Sequence, residues 1–291
     1  MASPEAGKQI ASPEAQGRGL PRLSGLEMGI IEKLMVEAFA LSDQGCVRSN
    51  NEDYYLVAAN IGLYVLADGM GGAAAGERAS KLASDKVWEV VYNCLQDGER
   101  PNVDMMVKAF EEANQCVINE AQLDVSLDGM GTTLVAAQRS DDELLIASVG
   151  DSRAYSFVEG KLQQITSDQT WVQEVGRRLG IDEENLRTHP MRHVLTMAIG
   201  VSPQLRINTY RVNPLIGTQI LLCSDGLHGV IDEAFIAGVL ASDETLEGKC
   251  HRLIDAAKHA GGPDNITAVL MSIVPDPPED SADHEATLPV V

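Results

Sequence analysis

Five aspartates in this 291-residue chain stand where an apolar run stops or starts. Tyr64-Val65-Leu66-Ala67 ends in Asp68, with Gly69, Gly71 and Gly72 following within four residues. Gln219 to Ser224 ends in Asp225-Gly226, and Leu144 to Gly150 ends in Asp151. Asp128-Gly129 opens the run from Thr132, and Gly262-Pro263-Asp264-Asn265 opens the run Ile266 to Val274. An ionised carboxylate at the end of a buried strand is costly unless something neutralises it, and a metal ion does so. Neighbouring glycines let backbone carbonyls approach as further hard oxygen ligands. A single Asp-Gly reads more readily as a tight turn. Several, from distant parts of the chain, point to strand ends converging on one cation site. The donors are oxygens with no histidine at ligand-like spacing, which favours Mg²⁺ or Mn²⁺ over Zn²⁺ or Cu²⁺.

The elements that must position these groups are legible in the hydrophobic pattern. Strands are predicted at Val36 to Leu41, Tyr54 to Ala58, Tyr64 to Asp68, Thr132 to Ala137, Leu144 to Val149, Ala154 to Val158 and Lys161 to Ile165. Further strands are predicted at Leu205 to Val212, Gln219 to Cys223 and Ile266 to Val274. Apolar residues from Ala79 to Leu95 and from Val103 to Ala121 recur at helical spacing. Later helices are predicted from Leu227 to Ala241 and Leu246 to His259. Strands joined by short turns pair antiparallel. Grouped strands and grouped helices make the chain α+β, a sheet sandwich covered by helices. Residues 166–193 read as a helical or irregular insertion over the sheet. Residues 1–33, with the near-repeat Ala2-Ser3-Pro4-Glu5-Ala6 and Ala11-Ser12-Pro13-Glu14-Ala15, and residues 275–291, rich in Pro and acid, read as disordered tails around a domain at 34–274.

Composition narrows the chemistry. With 43 acidic and 22 basic residues the formal charge is −21. Phosphate backbones and anionic lipids need a basic face, so nucleic acid and membrane are excluded as main partners. Five cysteines without CxxC spacing suit a reduced, cytoplasmic protein better than a disulfide scaffold or a zinc site. No apolar run approaches the roughly 18 residues that span a bilayer, and no export signal is read.

The ordered set Gly45-Cys46-Val47-Arg48-Ser49-Asn50-Asn51-Glu52-Asp53, Ala67-Asp68-Gly69-Met70-Gly71-Gly72, Gly129-Met130-Gly131-Thr132-Thr133, Val149-Gly150-Asp151-Ser152-Arg153, Ser224-Asp225-Gly226-Leu227 and Gly262-Pro263-Asp264-Asn265 resembles the bacterial form of the metal-dependent type 2C protein serine/threonine phosphatases. The resemblance spans about residues 36 to 274. It implies an α-β-β-α sandwich, a flap at about 166–193, and two Mn²⁺ or Mg²⁺ ions with a third, weaker one. It also implies hydrolysis of phosphoserine and phosphothreonine by water that the two ions activate. Asp68 would bridge the ions, the Gly69 carbonyl would complete one, and Asp225 and Asp264 would hold the other. Glu52 and Asp53 would orient waters around them, and Asp128, sharing Asp225, would bind the third. Arg48 would clamp the phosphate through its planar fork. Asp151 is expected to be structural. The implied partners are phosphorylated proteins, among them a cognate Ser/Thr kinase and its substrates, and the chain is expected to act as a monomer.

Several positions depart from the family pattern. Met70 stands where eukaryotic members carry a histidine thought to donate a proton, so the proton donor is unassigned. Ala73 replaces a histidine of many bacterial members, His193 a usual Asn and Met197 a usual Arg. His228 is expected on the surface near a helix N-terminus, and Trp88 in the core. Two other readings stay open: a silent relative used as a binding module, which predicts loss of a metal carboxylate, and a Ca²⁺-stabilised structural domain.

Overall fold

Alternation with period two decides which layer each side chain enters. In β3 (Leu63–Met70), Leu63, Val65 and Ala67 face one way while Tyr64 and Leu66 face the other. In β10 (Gln219–Cys223), Leu221 and Cys223 oppose Ile220 and Leu222; in β11 (Ile266–Pro275), Ala268 and Leu270 oppose Val269 and Met271. The second set of each strand meets the other sheet, so these strands must be covered on both faces. The computed structural model describes residues 34–71, 75–141 and 143–275, which belong to one compact unit.

One sheet runs β1 (Leu34–Asp43), β11, β10, β7 (Arg153–Val158), β8 (Lys161–Gln164). The other runs β2 (Asp53–Ala58), β3, β5 (Leu134–Ser140), β6 (Glu143–Val149), β9 (Asn208–Val212), with the short β4 (Gly131–Thr132) beside β3. Every pairing is antiparallel. The second sheet is covered by α1 (Ala75–Gln96) and α2 (Val103–Leu123), whose Ala79, Ala83, Val87, Phe110 and Val117 fill the outer core. The first is covered by α5 (Glu233–Leu240) and α6 (Leu246–His259). This is the expected α+β antiparallel sandwich flanked by helix pairs.

Three details depart from expectation. The single helix expected from Leu227 to Ala241 is two, α4 (Asp225–His228) and α5. Gly229 closes the first, and Asp232 caps the second by accepting from Phe235 N at 2.7 Å. Strand β9 starts at Asn208 and not Leu205. Trp88 is 37% exposed and stacks on Tyr92. Between 166 and 193 the chain holds a five-residue π-type turn (Val172–Gly176) and α3 (Glu183–Thr188). The tails at 1–33 and 276–291, and the position Ala73, lie outside the described residues, while Pro275 ends β11. The five cysteines are unpaired. Among the described residues no helix is long and apolar enough to cross a membrane.

Candidate metal centre

Antiparallel order brings one set of strand ends together. The end of β1 and start of β2, the end of β3 and start of β4, the end of β6 and start of β7, and the end of β10 and start of β11 lie at the same end of the sandwich. There they border a cleft of about 1100 Å³ lined by Arg48, Glu52, Asp68, Gly69, Asp151 and Asp225, with Met70, Thr133, His193 and Asp264 also in its wall. The cleft therefore gathers four of the five aspartates that end apolar runs, and Asp151, expected to be structural, is one of them. Asp128 is exposed at the end of a short 3₁₀ turn and is not in the lining. Its loop still borders the cleft: Gly129 O lies 3.1 Å from where a Cβ on Gly71 would be.

Register sets the most acidic point. Asp53 and Asp68 sit directly opposite one another on β2 and β3, an arrangement that repels when both are charged. Asp53 lies beneath the cleft floor. Its Oδ2 accepts from Ser224 Oγ at 2.8 Å and Thr267 Oγ1 at 2.6 Å, while its Oδ1 is buried with no partner. Burial pushes its pKa to about 7, although the two hydroxyls oppose the rise. Asp151 is pushed to about 8 by burial and then by the charge of Asp225. Asp68 is raised well above the ordinary carboxylate range by burial and by Asp53, Asp225 and Asp151. Asp225 is raised by burial and Asp264, with the positive charge of His193 opposing them. These carboxylates cannot all ionise side by side without a cation.

The backbone that carries them is held by close approach. Asn265 Nδ2 donates to Gln44 O at 2.9 Å and Asn50 O at 2.8 Å, and its Oδ1 accepts from Glu52 N at 2.8 Å. It thereby ties the start of β11 to the start of β2. Gly45, at φ +78°, leaves room for Asp264 O, which a Cβ would meet at 2.1 Å. Thr133 N donates to Asp68 O at 2.8 Å, and Thr133 Oγ1 accepts from Asp68 N at 3.0 Å and bonds Ser152 Oγ at 2.7 Å.

Two features bear on whether an ion fits. Among the described residues no three Asp, Glu, His or Cys side chains close on a single point. Asp264 is one reason, for its Oδ2 accepts from Arg48 Nη2 at 2.7 Å. The donor set nonetheless suits a hard cation: it is all oxygen, and the Asp53 Oδ1 beneath it is buried without a partner. Asp68, Asp225, the Gly69 carbonyl and, once turned from Arg48, Asp264 are the groups able to hold one.

Sequence reasoning missed the Asn265 tie and the Ser224–Thr267 pair under Asp53. Thr267, fully buried within an apolar strand, was the readable sign. His228 was misplaced: it ends α4 half-buried, its Nε2 lies 3.1 Å from Asp151 O, and burial pushes its pKa down to about 3.

Comparison with known proteins agrees with this architecture. Residues 47–270 match the family model described as protein phosphatase 2C. The chain is 37% identical over 247 residues to the serine/threonine protein phosphatase PstP of Mycobacterium tuberculosis, covering 83% of itself and 46% of that relative. It thus spans about half the length of that curated protein. It is 36% identical over 237 residues to the serine/threonine phosphatase stp of Listeria innocua, covering 79% of itself and 93% of the relative. The crystal structure of the PstP catalytic domain in complex with two manganese ions superposes with a TM-score of 0.72 at 34% identity, over 83% of this chain and 99% of that one. A match over most of the sandwich, with the acidic cleft inside it, leads to one conclusion: this chain belongs to the protein phosphatase 2C family.

Proposed function

We propose that the chain is a Mn²⁺- or Mg²⁺-dependent phosphatase that hydrolyses phosphoserine and phosphothreonine in proteins, reversing a cognate Ser/Thr kinase. The observation that carries this reading is the set of buried, mutually repelling carboxylates facing a cleft with an arginine at its edge. The relatives named above as serine/threonine phosphatases, and the manganese-bound one among them, support it. Asp68, the Gly69 carbonyl, Asp225 and Asp264 would hold two ions, with Glu52 and Asp53 orienting water around them. Asp128 would hold a third if its loop turned inward with Asp225. When bound, the ions supply an acidified water as nucleophile and charge stabilisation at phosphorus.

The remaining work falls to the chain itself. Arg48 exchanges Asp264 for two phosphate oxygens, a planar fork meeting a tetrahedral anion. Asp53, held by Ser224 and Thr267, keeps the cleft floor negative and fixed. The acidic surface leaves nucleic acid and anionic lipid out of the partner set. The reading also takes the enzyme to be a cytoplasmic monomer with a catalytic domain at 34–274.

Turnover of p-nitrophenyl phosphate and a phosphothreonine peptide with Mn²⁺, Mg²⁺, Ca²⁺ or EDTA tests the proposal. Hydrolysis with Mn²⁺ or Mg²⁺ alone is the expected result. No hydrolysis with any ion, or support by Ca²⁺ of folding alone, would overturn it.

A further inference from the structure

A seryl or threonyl alkoxide is a poor leaving group, and a positioned proton donor lowers that barrier by roughly 10²- to 10⁴-fold in rate. The position beside the acidic floor is filled by Met70, which carries no transferable proton. Arginines in the wall stay charged at all working pH, and the carboxylates face the cation site. Among the described residues lining the cleft, His193 is the one imidazole, and an imidazole nitrogen can carry, give up and regain a proton.

The location of His193 is built and not incidental. It lies in the turn 189–194, with its side chain exposed at the junction of the main cleft and an adjoining cavity of about 430 Å³. The backbone just beyond it is tied down: Trp171 N donates to Val194 O at 2.8 Å, Thr196 N donates to Gln169 O at 2.8 Å, and Leu195 bridges Thr170. The Trp171 ring stacks on His189 at 4.5 Å, fixing the other end of the turn. A ring carried on an anchored turn in the cleft wall can meet a substrate oxygen held in the cleft.

We infer that His193 is the catalytic acid for the leaving alcohol. The inference rests on the phosphatase reading above. As the water oxygen forms its bond to phosphorus, the bond from phosphorus to the seryl or threonyl oxygen breaks. Its electron pair stays on that oxygen, which takes the proton from the His193 imidazolium and departs as a neutral alcohol. The imidazole is recharged from solvent, which receives the proton shed by the attacking water, and orthophosphate is the second product.

The test is leaving-group dependence. kcat/KM with Mn²⁺ is measured for p-nitrophenyl phosphate, phenyl phosphate and a phosphoserine peptide, with wild type, His193→Asn, His193→Gln and His193→Gly. Thermal melts of each variant check folding. The expected loss grows with the pKa of the departing group, from its smallest on p-nitrophenyl phosphate to roughly 10²-fold or more on the peptide. The slope against leaving-group pKa should steepen, and free imidazole should restore part of the peptide rate to His193→Gly. Equal losses on all three substrates, or no loss on the peptide, would overturn the assignment while leaving the phosphatase reading intact. A wild type inactive on every substrate with Mn²⁺ would sink both.

Discussion

Asp225 sits half-buried at the start of α4 with Asp264 and Asp68 beside it, so its charge costs the metal-free fold energy. Asp225→Asn should therefore melt no lower than wild type in EDTA yet lose the rise in Tm that Mn²⁺ gives wild type. Its turnover should fall by more than the roughly 10- to 100-fold that loss of a supporting group costs a metal site. A variant with wild-type rate and a wild-type Mn²⁺ shift would remove Asp225 from the ligand set. Arg48 is exposed enough to leave Asp264 at little cost, since surface ion pairs are weak. A charge-assisted hydrogen bond to phosphate is worth about 1.5–3 kcal/mol, so Arg48→Ala should lower kcat/KM for phosphopeptides roughly 10- to 100-fold, mainly through KM. An unchanged KM would place Arg48 outside the phosphate site.

At the scale of the element, two glycines in different settings should respond in opposite directions. A Cβ on Gly69 would sit 2.1 Å from Gly76 O and 2.7 Å from Glu52 O, because the first turn of α1 docks directly on the end of β3. Gly69→Ala must push the helix off the acidic loop, so it should lower Tm and weaken Mn²⁺ binding together. Gly238 lies within α5 with nothing near its absent side chain. Gly238→Ala should stabilise by about 0.5–1 kcal/mol, read as a higher urea midpoint with an unchanged slope. The run from Leu227 to Ala241 looked like one helix because its apolar spacing is continuous. The break at Gly229 and the cap at Asp232 were visible residues, but which of several helix-ending signals acts is decided by packing.

For the molecule as a whole, the buried acids make stability depend on pH in a definite direction. Asp53 and Asp151 move from an unfolded value of 3.8 to about 7 and about 8, and Asp68 and Asp225 also rise. Between these limits the folded state holds more protons than the unfolded state. The stability they contribute is complete below 3.8 and lost as pH rises through the folded values. His228 works oppositely, from 6.5 unfolded to about 3 folded, so its contribution falls away in acid and is complete above 6.5. From pH 6.5 to 8.5 the raised acids, and no longer His228, set the direction of the change. The metal-free protein should therefore lose Tm steadily across that window, and saturating Mn²⁺ should flatten the loss by replacing protons with cations. A metal-free Tm that holds or rises over the window would show that the cleft acids are not coupled as described.

What the chain's order of residues settled alone was local and periodic. Continuous apolar runs at Tyr64 to Ala67 and Ile266 to Val274 named buried strands, helical spacing named α1 and α2, and glycine beside aspartate marked the turns that carry charge. These features depend on neighbours a few residues apart, which the sequence states directly. Only the tertiary structure decided that Thr267 and Ser224 share the support of Asp53, that Asp151 faces the cleft and Asp128 does not, that Asn265 ties two sheets, and that His193 reaches the rim. Those relations join residues up to about two hundred positions apart. Their energies come from burial, register and charge, which exist only once the two sheets have closed on each other.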